Sequence, residues 1–388
     1  MTRFAVKGWC PSALRPMLSG DGLVMRIRPR GGRLTSAQAS GIAELAATYG
    51  NGLIDLTGRA NLQIRGAREQ DRDALAAALD ELGLVEADAE LEAQRNILVA
   101  PFSREGDDTQ LLAAELERTL AEGPLGLPEK FGFAVDCGEA RMLAQASADV
   151  RIERGAQGGL IVRADGAPQG RAVAHEHAIS TALAMARWFA ASGGARDGRR
   201  RMAAHIAGGA KLPHVLAGGV APAHGAAPGS PGIHTCGALV GLAFGQLQSE
   251  TLAFLAGLAS GLRMTPWRMI LVEGVREIPP HDGLVTRAGD PLLRIAACTG
   301  APGCPEAHAE TRKLAAALAQ HVPLDARLHV SGCAKGCAHP GPCRVTLVGT
   351  RHGFDLVRDG SARDVPALRG LDPATIGALM GGADATCF

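Results

Sequence analysis

Four cysteines near the C-terminus have the residue type and the spacing to bind an iron–sulfur cluster. Cys298 and Cys304 lie in the run ACTGAPGC, and Cys333 and Cys337 lie in SGCAKGC, which gives C-x5-C followed by C-x3-C. Thiolates are the usual ligands of such clusters. The small Gly, Ala, Ser and Thr residues of both runs let the backbone close on a cluster and offer N–H groups to its sulfides. The spacing therefore predicts electron chemistry.

Other uses of the cysteines stay open from spacing alone. A structural zinc site usually pairs its ligands at C-x2-4-C spacing, which the first run does not have. A disulfide framework is disfavoured because nine cysteines are spread over 388 residues and the N-terminus has no apolar secretory core. Cys343 is expected to be a small hydrophobic residue entering a strand, with a fifth ligand as the alternative.

The composition of the whole chain limits its partners. Forty basic residues face 39 acidic ones, for a net charge of +1, and aromatic residues make up only 3%. Neither a nucleic-acid surface nor base-stacking platforms are favoured by that composition. No apolar run approaches the roughly 20 residues that span a bilayer. We therefore expect a cytoplasmic protein of two to four domains, without membrane or nucleic-acid partners.

Two segments repeat the same order of elements. From residue 22 to Gly83 the pattern indicates a strand, a helix, two short strands and a second helix, and residues 238–275 indicate a strand, a helix and returning strands. Placing Thr57 on Thr265 aligns the two segments with one offset. This favours a duplicated half-domain.

The remaining sequence divides into further units. A Gly/Pro/Ala-rich stretch indicates a boundary, and both cysteine runs follow predicted strands. In the last unit we expect helices at 305–320 and near 364–380. The predicted units are 1–85 (first half-domain), 86–217 (middle α/β domain), 218–235 (linker), 236–290 (second half-domain) and 291–388 (iron–sulfur cluster domain).

Arginines lie close to the first pair of strands. Arg26 and Arg28 alternate with Met25 and Ile27, so a regular strand would place the two arginines on one face. Arg59 follows in LTGRANLQIRG, at the turn of the adjacent strand. Guanidinium groups bind carboxylates in a bidentate way. A carboxylate-binding surface is therefore predicted, with a solvated strand edge as the alternative.

Together these runs resemble the nitrite and sulfite reductase superfamily. RIRPRGG, LTGRANLQIRG, ACTGAPGCPEA and SGCAKGC carry the resemblance, which covers nearly the full chain. It implies an α+β fold of duplicated ferredoxin-like half-domains plus two α/β domains, one of which holds a 4Fe–4S cluster on the four cysteines. It also implies that the arginines at 26–28 and 59 bind tetrapyrrole carboxylates or a small anion. In the reductases the cysteine matching Cys337 also bridges to a sirohaem iron.

Departures from the reductase pattern indicate which branch of the superfamily the chain resembles. Reductases carry a K-x-K pair after Leu-Pro, whereas LPEKFGFAVD has Lys130 and then Gly132. Their second repeat reads R-x-T followed by Asn and Gln, whereas Trp267 and Arg268 stand here. Trp267 would stack on a macrocycle or pack in the repeat core. LRMTPWR, ACTGAPGCPEAHAETR and VSGCAKGCAHPGP are similar to the precorrin-3B synthase family of aerobic cobalamin biosynthesis.

That second resemblance implies a mono-oxygenase. Members hydroxylate precorrin-3A at C20 with O2 and form a γ-lactone, using a 4Fe–4S cluster and a mononuclear non-haem iron, with an NAD(P)H-linked electron donor as partner. The alternatives are a sirohaem-dependent nitrite or sulfite reductase and a non-catalytic iron–sulfur electron-transfer module. The predicted site residues are Arg59 and Lys130 (catalytic), Arg26, Arg28, Arg59 and Arg263 (substrate), and Cys298, Cys304, Cys333 and Cys337 (cluster). Candidate ligands of the mononuclear iron, none of them assigned, are His308, His329, His339 and His281 with Asp282.

Overall fold

The computed structural model describes residues 10–196 and 201–381, so the outer ends of the first and last predicted domains lie outside the described residues. Four β-sheets and their covering helices make up this part of the chain. The strands are β1 (Met17–Ser19), β2 (Gly22–Ile27), β3 (Arg33–Thr35), β4 (Leu53–Leu56), β5 (Leu62–Ala67), β6 (Ile97–Val99), β7 (Phe133–Asp136), β8 (Val150–Arg154), β9 (Leu160–Ala164), β10 (Arg171–Val173), β11 (Gly232–His234), β12 (Gly237–Leu242), β13 (Gln246–Gln248), β14 (Gly261–Met264), β15 (Met269–Glu273), β16 (Leu284–Val285), β17 (Ile295–Ala297), β18 (Leu328–Ser331), β19 (Cys343–Thr350), β20 (Gly353–Gly360) and β21 (Leu368–Leu371). The helices are α1 (Ser36–Tyr49), α2 (Arg72–Glu81), α3 (Ala89–Gln94), α4 (Asp108–Leu120), α5 (Ala178–Ala191), α6 (Met202–Ala207), α7 (Ser249–Leu258), α8 (Arg312–Ala317) and α9 (Pro373–Gly381).

The two repeats form two antiparallel sheets that exchange a strand. The sheet orders are β1-β2-β5-β4-β13 and β11-β12-β15-β14-β3, so each repeat gives its third strand to the other sheet. Helices α1 and α7 pack against each other, and apolar residues from both repeats form one core. The predicted duplication is therefore confirmed, and the two copies form a single unit.

The two copies also share the geometry of their tight turns. The backbone N–H of Thr57 and that of Thr265 each donate to the carbonyl four residues further on, at 2.9 and 3.1 Å. Three residues into each turn, Ala60 and Arg268 adopt left-handed φ angles of 56° and 61°. Such angles are uncommon for residues other than glycine. The predicted alignment of Thr57 with Thr265 therefore matches the backbone.

The middle sheet has the order β10-β9-β8-β7-β6, with β6, β7 and β8 parallel. Helices α4 and α5 cover its apolar face. The Gly/Pro/Ala-rich stretch runs along this sheet, because Gly170 N–H donates to Val220 O and Ala223 N–H donates to Arg154 O, each at 2.8 Å. Strand β11 also lies inside the predicted linker. The stretch is thus hydrogen-bonded surface, while the domain boundaries themselves stay predictions.

The last sheet has the order β17-β18-β19-β20-β21, and its first three strands are parallel. The predicted helix 305–320 is shorter, since α8 covers only residues 312–317. The reason is that His308 N–H donates to Gly332 O at 2.8 Å, which holds the preceding residues in a loop. The helix near 364–380 begins only at Pro373, because residues 368–371 pair with β20 as β21.

Over the described ranges, none of the helices combines the length and the apolar composition needed to cross a membrane.

Candidate functional site

The two cysteine runs lie at the same edge of the last sheet. Cys298 follows β17 and Cys333 follows β18, and these strands are parallel neighbours, so their carboxyl ends meet. Gly332 N–H donates to Cys298 Sγ at 3.2 Å. The two loops are therefore joined to each other at the sulfur that opens the first run.

Small residues are required where the loops meet. A Cβ added to Gly332 would lie 2.6 Å from Ala307 Cβ, and one added to Gly300 would lie 2.6 Å from Thr311 Oγ1. Gly300 also has a left-handed φ of 70°. The loops thus close tightly, as the small residues of the sequence predict.

The four thiols of these loops act on one another. Burial raises the pKa of Cys333, and the charges of Cys298 and Cys304 raise it further. Burial also raises the pKa of Cys337, with added effects from the other three cysteines. Four thiols within electrostatic range, on loops with hydrogen-bonding backbone, fit a four-cysteine cluster. Cys343 is buried and its thiol donates to Arg327 O at 3.1 Å, as expected of a residue entering a strand.

Among residues 10–196 and 201–381, no three His, Cys, Asp or Glu side chains form a group that could hold a metal ion. A cubane cluster binds each thiolate at a different iron, so its ligands need not converge on one position. A mononuclear iron does need convergent ligands. The described residues therefore do not fit such a centre, and its ligands are not assigned.

The first half-domain holds the first cysteine loop. The carbonyl oxygen of Gly303 accepts three hydrogen bonds, from Ser19 Oγ at 2.7 Å, from Arg65 Nη2 at 3.0 Å and from Gly20 N–H at 3.2 Å. Gly303 directly precedes Cys304. The position of this cysteine is thus fixed by residues that precede Gly303 by 238 positions (Arg65) to 284 positions (Ser19).

Arg65 is itself held by two carboxylates. It forms a bidentate pair with Asp21 at 2.8 and 2.7 Å and a second pair with Asp55 at 3.1 Å. Burial alone would lower the pKa of Arg65, but these carboxylates raise it above its ordinary value. Arg312, at the start of α8, also contacts Asp55 at 3.1 Å. A charged network therefore joins the cluster domain to the first repeat.

Arg268 reaches the cysteine loops from the second repeat. Its Nη2 donates to Ala338 O at 3.2 Å, directly after Cys337. Burial and then the charge of Arg312 lower the pKa of Arg268, whereas Asp55 and Cys298 act in the opposite direction. This guanidinium therefore lies within electrostatic range of the first cysteine while it binds the backbone beside the last.

The two predicted arginines at the end of β2 and directly after it have different surroundings. Met25 and Ile27 are fully buried, as the alternation predicts. Arg28 is 3% exposed and pairs with Glu92 at 3.0 Å. Burial, then the charge of Arg26, lowers the pKa of Arg28 to about 10. Arg28 thus already has an internal partner where the sequence predicted a substrate contact.

Arg59 does meet Lys130. Its Nη2 donates to the Lys130 backbone carbonyl at 2.9 Å, and the Lys130 side chain is exposed. Burial, then the charge of Arg201, lowers the pKa of Arg59 to about 10, and Arg26 acts in the same direction. The Nε of Arg26 is buried without a hydrogen-bond partner in the part of the chain that the structure describes. We call Arg26, Arg28, Arg59 and Arg201 the arginine cluster.

Arg263 and Trp267 have internal partners. Arg263 pairs with Glu273 and donates to Pro101 O at 3.0 Å. Trp267 is half-buried against the repeat core and stacks on Phe102, with ring centroids 6.5 Å apart. Arg263 therefore has a structural role in holding Glu273 and Pro101, and its contact with a substrate stays a prediction.

Gly132 explains the missing second lysine. A Cβ at this position would lie 3.0 Å from the carbonyl oxygen of Asn96. Gly132 N–H also donates to the buried Asp149 carboxylate at 2.9 Å. A larger side chain requires the Asn96 carbonyl to move by a few tenths of an ångström, so the position favours glycine over the second lysine of the K-x-K pattern.

Sequence reasoning missed Arg65 and Arg312 and quoted Arg268 without giving it a role. Arg65 stands in LTGRANLQIRG, and Arg268 stands in the TPWR turn. For Arg268 the available signal was a charged residue in a turn where the reductase pattern reads Asn and Gln after R-x-T. Arg312, in the stretch after the first cysteine loop, offers no comparable sign.

Three kinds of comparison place the chain among known proteins. Residues 15–82 match the nitrite/sulfite reductase ferredoxin-like half domain. A precorrin-3B synthase from Sinorhizobium sp is 31% identical over 93% of this chain and 84% of that protein. A ferredoxin–nitrite reductase from Synechococcus elongatus is 25% identical over 88% of this chain and 79% of that protein. The NirA protein structure from Mycobacterium tuberculosis has a TM-score of 0.64 at 18% identity, covering 92% of this chain and 79% of that one, which confirms the fold.

Proposed function

Because this chain belongs to the precorrin-3B synthase family and is therefore an oxidoreductase, we propose that it hydroxylates precorrin-3A at C20 with O2 and forms the γ-lactone. In this reaction one oxygen atom enters the substrate. Two electrons and two protons reduce the other oxygen atom to water. The observation that carries the proposal is the pair of joined cysteine loops held against a half-domain that carries an arginine cluster.

Cys298, Cys304, Cys333 and Cys337 are the residues that would hold a 4Fe–4S cluster. Such a cluster supplies electrons one at a time, which O2 chemistry requires. The fit rests on the donor set and on the close glycine packing of the two loops. The mononuclear iron comes from the family resemblance alone, and no step is assigned to it.

The arginine cluster suits a substrate rich in carboxylates. Arg26 has a buried Nε without a partner among the described residues, and partial burial together with neighbouring arginines lowers the pKa of Arg59, so a carboxylate placed between them would favour both cations. Arg28 supports this surface through its pair with Glu92. We assign Arg26 and Arg59 to binding and orientation, and the exposed ammonium of Lys130 to proton supply.

Electrons would enter beside Cys333. A cavity of about 660 Å³ borders this cysteine and is also lined by Glu306, His308 and Arg351. We propose that a cytoplasmic, NAD(P)H-linked electron donor reaches the cluster from this cavity.

The test is O2 consumption by the purified protein with precorrin-3A and a reductant, together with its iron and acid-labile sulfide content. We expect O2-dependent hydroxylation and equal amounts of iron and acid-labile sulfide, as a 4Fe–4S cluster contains; a fifth iron would indicate a mononuclear centre in addition. Arg59→Ala should raise KM for precorrin-3A, whereas Arg68→Ala, which removes only an exposed pair with Asp71, should not. Absence of O2 consumption in a cluster-loaded sample would refute the proposal.

A sirohaem-dependent nitrite or sulfite reductase is the second candidate. The similarity to the Synechococcus protein favours it, whereas the glycine at 132 stands against the lysine pair that the reductases carry. Absorption typical of a chlorin-type haem in the purified protein, with nitrite or sulfite reduction, would replace the first proposal by this one.

A further inference from the structure

A half-buried arginine of the second repeat reaches the cysteine loops. Arg268 Nη2 donates to Ala338 O at 3.2 Å, and the Cys298 thiol acts on the guanidinium electrostatically. Ala338 directly follows Cys337. One side chain from the second repeat therefore acts on both halves of the proposed cluster site.

Positive charge exceeds negative charge in this interface. Three guanidinium groups face two carboxylates, namely Arg65, Arg268 and Arg312 against Asp21 and Asp55. The Nε of Arg312 is buried with no partner in the described ranges. Excess buried charge is costly unless an opposite charge is present. The interface is therefore suited to an anion that is not part of the polypeptide.

The turn itself does not require an arginine. Its counterpart in the first repeat, Ala60, has nearly the same φ, 56° against 61°. Gly245 makes room for the longer side chain, since a Cβ there would lie 2.9 Å from Arg268 Cδ. The charge at this position is thus an addition to a turn that an alanine can form.

The neighbouring histidine offers one N–H donor to such an anion. His329 is fully buried, and neither ring nitrogen has a hydrogen-bond partner in the part of the chain described. Burial, then His339 and Arg268, lowers the pKa of His329 to about 4, so the imidazole is neutral near pH 7. A further cation at His329 would be repelled by Arg268. A neutral imidazole carries one N–H donor, which an acceptor with negative charge can bind.

We propose that Arg268 neutralises the negative charge of the iron–sulfur cluster and raises its reduction potential. The inference rests on the proposed cluster. Four thiolates outweigh the positive charge of a 4Fe–4S core, so the centre is anionic and becomes more so on reduction. A nearby cation stabilises the reduced form more than the oxidised form. A cluster beside this arginine therefore has a higher potential than it would have beside an uncharged residue at the same position.

The experiment is a redox titration of the holoprotein, followed by absorption and electron paramagnetic resonance. In Arg268→Gln we expect the ratio of reduced to oxidised cluster at a given potential to fall about tenfold, which is a midpoint about 59 mV more negative. Arg268→Lys keeps the charge and should stay close to the wild type. Arg276→Gln, which removes an exposed arginine of the same repeat whose Nη1 donates to His234 O at 3.2 Å, should not move the midpoint.

Each outcome decides between the proposals. A wild-type protein that assembles no cluster refutes both this inference and the proposed function. A normal cluster whose midpoint is unchanged in Arg268→Gln refutes this inference alone, as does a change confined to KM for precorrin-3A. Should Arg268→Gln fail to fold, Arg312→Gln removes the neighbouring charge and must lower the midpoint in the same direction.

Discussion

Replacing Arg65 by methionine should destabilise the protein and reduce the iron and sulfide bound at the first cysteine loop. The guanidinium is 6% exposed and pairs with Asp21 and Asp55, which are 16% and 10% exposed. Breaking a buried pair by removing one partner typically costs about 3–5 kcal/mol, because the remaining charge stays buried. Two carboxylates lose their partner here, although Arg312 still contacts Asp55. We therefore expect a loss of about 3–5 kcal/mol in the free energy of unfolding.

The Gly303 carbonyl contributes less to that loss. It keeps the hydrogen bonds from Ser19 and Gly20 when Arg65 is removed, so it does not become an unsatisfied buried acceptor. Its position is nevertheless less constrained, and Cys304 follows it directly. We expect iron and sulfide content to fall together with stability in Arg65→Met.

The assay is urea unfolding at pH 7 with Arg68→Met as the matched control. Arg68 lies three residues away and pairs with Asp71 at 2.5 Å, but its side chain is 66% exposed. Such surface pairs contribute about 0–1 kcal/mol. If the free energies of unfolding of Arg65→Met and Arg68→Met differ by less than about 1 kcal/mol, the charged network does not stabilise the interface and the reasoning is wrong.

Three further predictions concern other parts of the chain. Serine at any of the four loop cysteines, such as Cys298, should abolish iron and sulfide binding, whereas Cys343→Ser should retain both. Burial raises the pKa of Asp136 in the folded protein to about 6 from 3.8, so the folded state binds its proton more tightly than the unfolded state does. The free energy of unfolding should therefore fall by about 3 kcal/mol as the pH rises from about 4 to 6. In urea unfolding, Asp136→Asn should not show this fall with pH. Gly132→Lys should lower Tm through its clash with Asn96 O, and unchanged Tm would contradict the packing explanation of the missing lysine.

The sequence predicts the local elements well, because hydrophobic alternation and turn residues act over short distances. Met25 and Ile27 are buried as β2 alternation requires, and the Thr57 and Thr265 turns share their hydrogen bond. The exchange of β3 and β13 between the sheets was not predictable. Strands of three residues carry too little pattern to specify a partner, and their pairing is decided by tertiary packing.

Arg65 escaped prediction because its role depends on a distant loop. It alternates with the buried Ile64 and lies on the same face of the sheet as Asp55, where simple alternation places it. That face is covered by the first cysteine loop, through the hydrogen bond from Arg65 Nη2 to Gly303 O at 3.0 Å. Alternation predicts which face a side chain occupies, but it does not predict which distant loop covers that face.

Arg28 and Arg263 show the opposite difficulty. Each stands in a motif that fits a ligand contact, yet each has an acidic partner, Glu92 for one and Glu273 for the other. Glu92 is 64 residues from Arg28 along the chain. A motif identifies a cation, but whether an internal carboxylate already balances it depends on contacts that only the fold determines.

The duplicated turn connects these observations to function. Both copies keep the same backbone, but the first copy carries its arginine at Arg59, before the left-handed residue, and the second carries it at that residue, Arg268. Arg59 contacts Lys130 in the middle domain, whereas Arg268 contacts Ala338 in the cluster domain. The arginine is thus shifted by one position between the two copies of the turn, and this shift directs Arg59 to the middle domain and Arg268 to the cluster domain. Because neither guanidinium has an ion pair of its own among the described residues, we infer that the copies have specialised, one for the carboxylates of a substrate and the other for an anionic cluster.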